Sequence, residues 1–299
     1  GKDAEKLLED FDMNSQQMIA SCSKWPSAAL VMTFVDEGKL SLTDTIGKYL
    51  PVMTSNGKGN ITIWQCLSHL TGIEPGNLKE SMQMILLAPS MKDVIDTIAR
   101  QPMEGDPGKT FHYSNVGLQI AAAVIEKISG KNFESLFQER IARPCNMVNS
   151  TYGTGKTILA AGSCRSSPQD FIHFLTMLLN DGMFNGKIVL KQSSVIEMQK
   201  NRVAADTKIA YSPAEAGNWG YGFGEWVMDN PLLVPAKKGD MPGSIRSNAV
   251  TSPGLFGSFP WVNNEKKYAG FLFVFNIKNK GRNQRYKELK NLVDEVIIK

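Results

Sequence analysis

The sequence predicts a mixed α/β chain of the α+β kind, on three observations. Helix-length apolar patterns, punctuated by Pro and Gly, fill its middle. From Trp219 the character changes to glycine and aromatic residues interleaved, followed by short β-like runs. A last helix, Arg282 to Ile298, closes the chain. With 299 residues, 42% hydrophobic and 21% charged, the chain can bury a sizeable core.

In order, Gly1 to Asn14 is polar and carries no clear pattern. A buried helix follows Ser21, since Ala28 to Val35 is apolar except for Thr33, and Gly38 suits its C′ position. Leu40 to Leu50 is a short amphipathic stretch that Pro51 is expected to stop, and Thr62 to Leu70 is helical up to Thr71-Gly72. Gly76 to Gln101 is helical with a join at Pro89. Glu104-Gly105-Asp106-Pro107-Gly108 is a turn, after which Val116 to Ile128 forms an apolar helix closed by Ser129-Gly130. Further helices are expected at Asn132 to Arg143, Pro168 to Asn180 and Ser193 to Lys200. Strands are expected at Ser247 to Thr251, Gly257 to Val262 and Tyr268 to Ile277, with a turn at Asn263 to Lys266. Gly270 to Phe275 is so apolar that both of its faces should be covered.

The net charge of +4 is small for this length, and its one mild basic cluster, Lys278–Arg285, does not suggest nucleic-acid binding. Cys22, Cys66, Cys145 and Cys164 lack CxxC spacing and are joined by only three histidines, so a zinc site is not expected and the cysteines read as small buried hydrophobes. No stretch reaches membrane-spanning length, and no signal peptide is recognisable.

Three stretches carry chemistry. Ser21-Cys22-Ser23-Lys24 is a Ser-x-x-Lys at the mouth of the buried helix; at helical spacing it sets an amine beside a hydroxyl. A serine becomes a nucleophile when a neighbouring base takes its proton, and lysine is such a base when burial lowers its pKa. The plain alternative is an N-cap serine and a solvated lysine. Tyr113-Ser114-Asn115 heads the next apolar helix, where a phenol and a carboxamide can face a cleft. The third stretch is Ser252-Pro253-Gly254-Leu255-Phe256-Gly257.

With these three in order, the chain resembles the serine β-lactamase and penicillin-recognising superfamily, in its class C-like branch of esterases, D-amino-acid peptidases and β-lactamase-related hydrolases. Leu67-Ser68-His69-Leu70-Thr71-Gly72-Ile73 is similar to that family's Leu-Thr-His-Thr-Ser-Gly-Leu element, and Pro144-Cys145-Asn146-Met147 stands where Pro-Leu-Gly-Met is usual. The resemblance covers about residues 15 to 280.

It implies a β-lactamase/transpeptidase-like fold. An antiparallel sheet lobe (about 1–35 and 216–299) would be flanked by helices, and a mostly helical lobe (about 36–215) would face it across the catalytic cleft. It further implies Ser21 as the acylated nucleophile, Lys24 as its proton partner and Tyr113 as a phenolate-like general base. Asn115 would orient the Lys24 amine and the substrate, and the backbone amides of Ser21 and Leu255 would form the oxyanion hole. Ser252, Gly254, Trp219, Tyr221 and Glu225 are expected to contact substrate, the last three because a glycine–aromatic loop suits the edge of a site. No metal or organic cofactor is implied. The implied substrate is a small ester, amide or peptide-like molecule, and export from the cytoplasm is the family habit.

Two departures stand out. Ser252-Pro253-Gly254 replaces the family's Lys-Thr-Gly or His-x-Gly, so the cation that commonly holds a substrate carboxylate is missing. The residues before Ser21 are too few for the two strands that usually precede the nucleophile. A serine hydrolase of esterase or peptidase type is therefore favoured over a true β-lactamase or D,D-peptidase. A catalytically weak binding protein is the rival from another class. His69 and His173 read as structural, while His112, beside Tyr113, is a possible cleft residue. Gly153-Thr154-Gly155-Lys156-Thr157 mimics a phosphate loop but lacks its first glycine and its strand, so a surface turn accounts for it.

Overall fold

The computed structural model describes residues 11–229, 233–234, 241–276 and 282–297. Ile277, Ile298 and Lys278 to Gly281 of the basic cluster lie outside them.

The core is organised on helix α1 (Lys24–Asp36), in which every residue from Lys24 to Phe34 is buried. A helix apolar on all sides has no solvent face to offer, so it must run through the middle of the molecule. Burial of side chains such as Leu30, Met32 and Phe34 supplies about 1.5–3 kcal/mol each. The helix stops at Glu37, and Gly38 takes the left-handed conformation (φ +70°) expected of a C′ residue.

Helix α2 (Leu78–Leu87) packs on the helix that follows it, while the buried α3 (Val116–Ser129) packs on α1, and α4 (Pro168–Leu179) meets it through Phe174 on Trp25. Local chemistry fixes their starts. Asn77 caps α2 by accepting the Glu80 amide at 2.9 Å. Ser167 caps α4 at the Asp170 amide, with Pro168 in the first turn. The Pro89 join holds, since a separate helix, Met91–Arg100, begins just beyond it.

Five strands form one antiparallel sheet: β1 (Gly220–Tyr221), β2 (Trp226–Val227), β3 (Ala249–Thr251), β4 (Gly257–Asn263) and β5 (Tyr268–Phe275), side by side in the order β5-β4-β3-β2-β1. Helix α4 packs on β5 and β4, and the C-terminal helix α5 (Arg282–Val296) packs on β4.

Three local expectations are corrected. Pro51 opens a short helix, Pro51–Ser55, rather than ending one, because a missing amide costs nothing in a first turn. The helix expected to reach Leu70 is only Ile63–Leu67, since His69 is left-handed (φ +60°). Strand β5 is half-buried rather than covered on both faces, and Phe275 is exposed, because β5 is an edge strand of the sheet as described.

One pairing had no sequence signal. Thr110–His112 runs parallel to Lys208–Tyr211, setting His112 opposite Tyr211.

Candidate active site

Ser21 does not sit in the first α-turn as expected. It lies in a tighter 3-10 turn, Ala20–Ser23, which leads into α1. Three residues per turn stack positions i and i+3, so Lys24 stands over Ser21 with Nζ 3.1 Å from Oγ. Ala20 enters the turn in the left-handed region (φ +48°), which sets the direction of the chain at the nucleophile.

Lys24 is buried, and its amine also donates to the Ala161 carbonyl at 3.1 Å. Desolvation pulls its pKa from 10.5 down to about 7, against a small opposing pull from Cys22. The segment carrying Ala161 is fastened to the nucleophile turn. The Ser27 hydroxyl donates to the Ala160 carbonyl (2.6 Å), and the Cys164 amide donates to Ser23 Oγ (3.1 Å).

Tyr113 lies under this amine, with Nζ 4.6 Å from its ring centre, and stacks on Trp226 at 5.1 Å. Burial pushes its phenol above its ordinary pKa, and a hydrogen bond with Ser21 offsets this only in part. The phenolate character expected of Tyr113 is thus disfavoured here: desolvation outweighs the nearby amine, and Lys24 is the group poised to accept a proton.

His69 is structural. It packs at 4.7 Å from both Tyr113 and Tyr221, accepts the Ser114 amide at Nδ1 (3.4 Å), and therefore donates from Nε2 to the Tyr221 hydroxyl (3.0 Å). Burial, with the charges of Lys24 and His112, holds its pKa well below the usual value. Asn115 is buried at the head of α3, and its Nδ2 has no hydrogen-bond partner. Its expected grip on the Lys24 amine is replaced by the Ala161 carbonyl.

Across the cleft, Gly254 fills a place no other residue can. A Cβ there would stand 2.4 Å from the Ile19 carbonyl oxygen and 3.1 Å from Cys22 Sγ. The loop thus presses its backbone onto the nucleophile segment, and Gly254 and Leu255 line the same cavity as Ser21. Gly224 makes a matching approach on the other side, where a Cβ would meet the Lys24 carbonyl oxygen at 2.4 Å.

Three residues expected at the substrate turn away from it. The Ser252 hydroxyl is buried on backbone carbonyls, those of Gly224 (3.0 Å) and Ser21 (3.3 Å). Tyr221 is buried against His69. Glu225 is fully buried, neither of its carboxyl oxygens has a hydrogen-bond partner, and desolvation drives its pKa well above the usual carboxylate range. Ser252 and Glu225 lie just outside strands, in turns whose course residue type alone does not reveal.

The cavity holds about 550 Å³. Ser21, Tyr113, Ser114 and Asn115 line it with Trp219, Gly254 and Leu255, as expected of all but Ser114. Trp226, Phe259, Tyr211 and the Pro75–Leu78 turn were missed; of these only the turn, with its Pro-Gly-Asn composition, and Trp226, in the aromatic run, had a signal. His112 also lines it. Lys287 of α5 braces the rim, its Nζ 4.3 Å from the Trp219 ring centre and donating to the Glu215 carbonyl at 2.7 Å.

A family model described as Beta-lactamase matches residues 9–293. The chain belongs to the beta-lactamase family. A Bacteroides dorei DSM 17855 protein, solved as a candidate beta-lactamase, superposes with a TM-score of 0.80 at 27% identity, over 96% of this chain and 87% of that one. Protein Rv1367c of Mycobacterium tuberculosis is 23% identical over 81% of this chain and 71% of its own length. The Escherichia coli K12 D-alanyl-D-alanine-carboxypeptidase/endopeptidase AmpH is 27% identical over 47% of this chain, a match that spans 37% of that relative. The chain thus has the β-lactamase/transpeptidase-like fold, and its relatives are hydrolases that include esterases, amidohydrolases and peptidases.

Proposed function

We propose that this beta-lactamase-family hydrolase cleaves an ester or amide through an acyl-enzyme on Ser21. The observation that carries the reading is the 3.1 Å contact between Ser21 Oγ and a buried lysine whose pKa is brought down to about 7. A free amine at that distance takes the hydroxyl proton as Oγ attacks the carbonyl. The developing oxyanion is received by the Ser21 and Leu255 amides, on segments that Gly254 holds in contact. The proton then passes from Lys24 to the leaving group, with the protonated Tyr113 phenol as relay. Water attacks the acyl-enzyme by the same steps in reverse, and Ser21 is regenerated. The largely apolar cavity, with Ser252 turned inward, supports esterase or peptidase-like substrates over β-lactams.

The test is intact mass after exposure to a neutral fluorophosphonate, comparing the native chain with Ser21→Ala. One adduct on the native chain and none on the variant is expected. Folded native protein that takes no adduct would overturn the reading.

A further inference from the structure

Helix α2 presents three faces. Ser81 and Ile85 are buried and fasten it to the body of the protein, helped by the Thr157 hydroxyl, which donates to the Ile85 carbonyl at 2.6 Å. Lys79, Glu80 and Gln83 are polar and exposed. The third face is apolar and exposed as well: Leu78 keeps 55% of its surface, Met82 39% and Leu86 43%. Residues four apart on a helix stand one above the other, so these three form a ridge about 12 Å long at 1.5 Å per residue. A lone exposed leucine needs no explanation, but a contiguous apolar row with a polar flank marks a place where something binds.

The ridge starts inside the catalytic cavity. Leu78 lines that cavity together with Ser21, while Met82 and Leu86 lie beyond its lining. The lip on the other side is apolar too, since Leu255 and Tyr211 line the cavity and are each 50% exposed. A ligand anchored at Ser21 and too long for the cavity therefore finds an apolar track leading out over α2. The backbone amides and carbonyls within a helix are already paired with one another, so the track rewards hydrocarbon rather than a peptide strand.

We infer that the Leu78–Met82–Leu86 ridge extends the cleft and carries a long, unbranched apolar chain of the substrate, the scissile ester lying at Ser21 and the chain end on α2 outside the cavity. This deepens the proposed function and rests on Ser21 being the acylated nucleophile. Methionine and leucine side chains on an open helix face can adjust to a sliding chain, so the ridge selects for length rather than for one shape.

The experiment uses two matched ester pairs, each below its critical micelle concentration. In 4-nitrophenyl butyrate and decanoate the chain is on the acyl part; in 4-methylphenyl and 4-heptylphenyl acetate it is on the leaving group. A methylene half covered by the ridge gains about twofold in affinity, so five of them predict a preference of about thirtyfold in kcat/KM for the long member of one pair. Met82→Gln combined with Leu86→Gln should cut that preference about tenfold, and Gln83→Ser on the polar face should leave it intact. A native chain with no length preference in either pair would overturn the inference. So would a double variant that keeps the preference, or slows both members equally. A rate that rises only above the critical micelle concentration would assign the ridge to a lipid surface and overturn it too. If the double variant does not fold, Met82→Ala with Leu86→Ala takes its place under the same criteria. A fluorophosphonate needs no long chain to react, so a missing adduct on Ser21 marks the nucleophile reading and not this one.

Discussion

Around Ser21 most of the polar groups that could act are held in place. The lysine amine is shared between Oγ and the Ala161 carbonyl, Ser252 is tied to two carbonyls, and His69 is bonded at both ring nitrogens. The facing wall is different. Leu78, Tyr211 and Leu255 are half or more exposed, and α2 turns Met82, Leu86 and Leu87 outward as well. Bond-making needs groups held to within about half an ångström, which takes buried partners on every side. Recognition of an apolar substrate needs only shape and area, which an exposed wall supplies.

The contrast can be pressed from its strongest point. Lys24→Met should lower kcat/KM on a neutral aryl ester by about 10³-fold, since it removes the base. In the native chain the acid limb of the pH profile should fall near 7, rate rising as the amine loses its proton. Stability should move the same way. The buried amine's pKa is lowered in the folded state, so the unfolded chain binds more protons between about 7 and 10.5, and native stability rises with pH over that window. Denaturation of Lys24→Met at pH 6.5 and pH 9 should show that slope reduced, and an unchanged slope would mean that the amine is charged in the fold.

Gly254→Ala comes next. Its Cβ would press on the Ile19 carbonyl oxygen at 2.4 Å, so the loop must retreat and carry the Leu255 amide with it. Loss of one oxyanion donor predicts a fall in kcat of about 10²-fold, with KM less affected. A rise in KM alone would assign the glycine to binding instead.

The smallest effect belongs to the exposed wall. Leu78→Ala should raise KM for an apolar ester by about four- to thirteenfold, half a buried leucine's contribution, and leave kcat alone. A loss as large as that at Gly254 would erase the distinction between the two sides.

Much of this was legible in the sequence. The apolar run after Ser21 foretold a helix with no solvent face, and the Ser21/Lys24 and Tyr113/Asn115 spacings foretold a cluster that the fold does assemble around one cavity. What stayed hidden depended on partners remote in the chain. Nothing local announces that Lys208–Tyr211 pairs with Thr110–His112, and that pairing puts Tyr211 and His112 in the cleft. Nor does a glycine–aromatic run say which way each side chain points. Trp219 faces the cavity while Tyr221 and Glu225 face the core, although alternation alone would put residues 219 and 221 on one side; Trp219 precedes the strand Gly220–Tyr221 and Glu225 lies in the turn after it, so their directions are set outside the strand.

Ala20 carries a last consequence. Its left-handed backbone costs an alanine about 1 kcal/mol, and the cost falls on the residue immediately before the nucleophile. Glycine would take that conformation freely, so a redesign guided by folding free energy alone would relax this turn early. It would also slacken the mount that aims the Ser21 amide and hydroxyl. Thermostability and turnover are set against each other at one small side chain, and a chain selected for heat resistance without an activity screen should drift toward a well-folded, slower hydrolase.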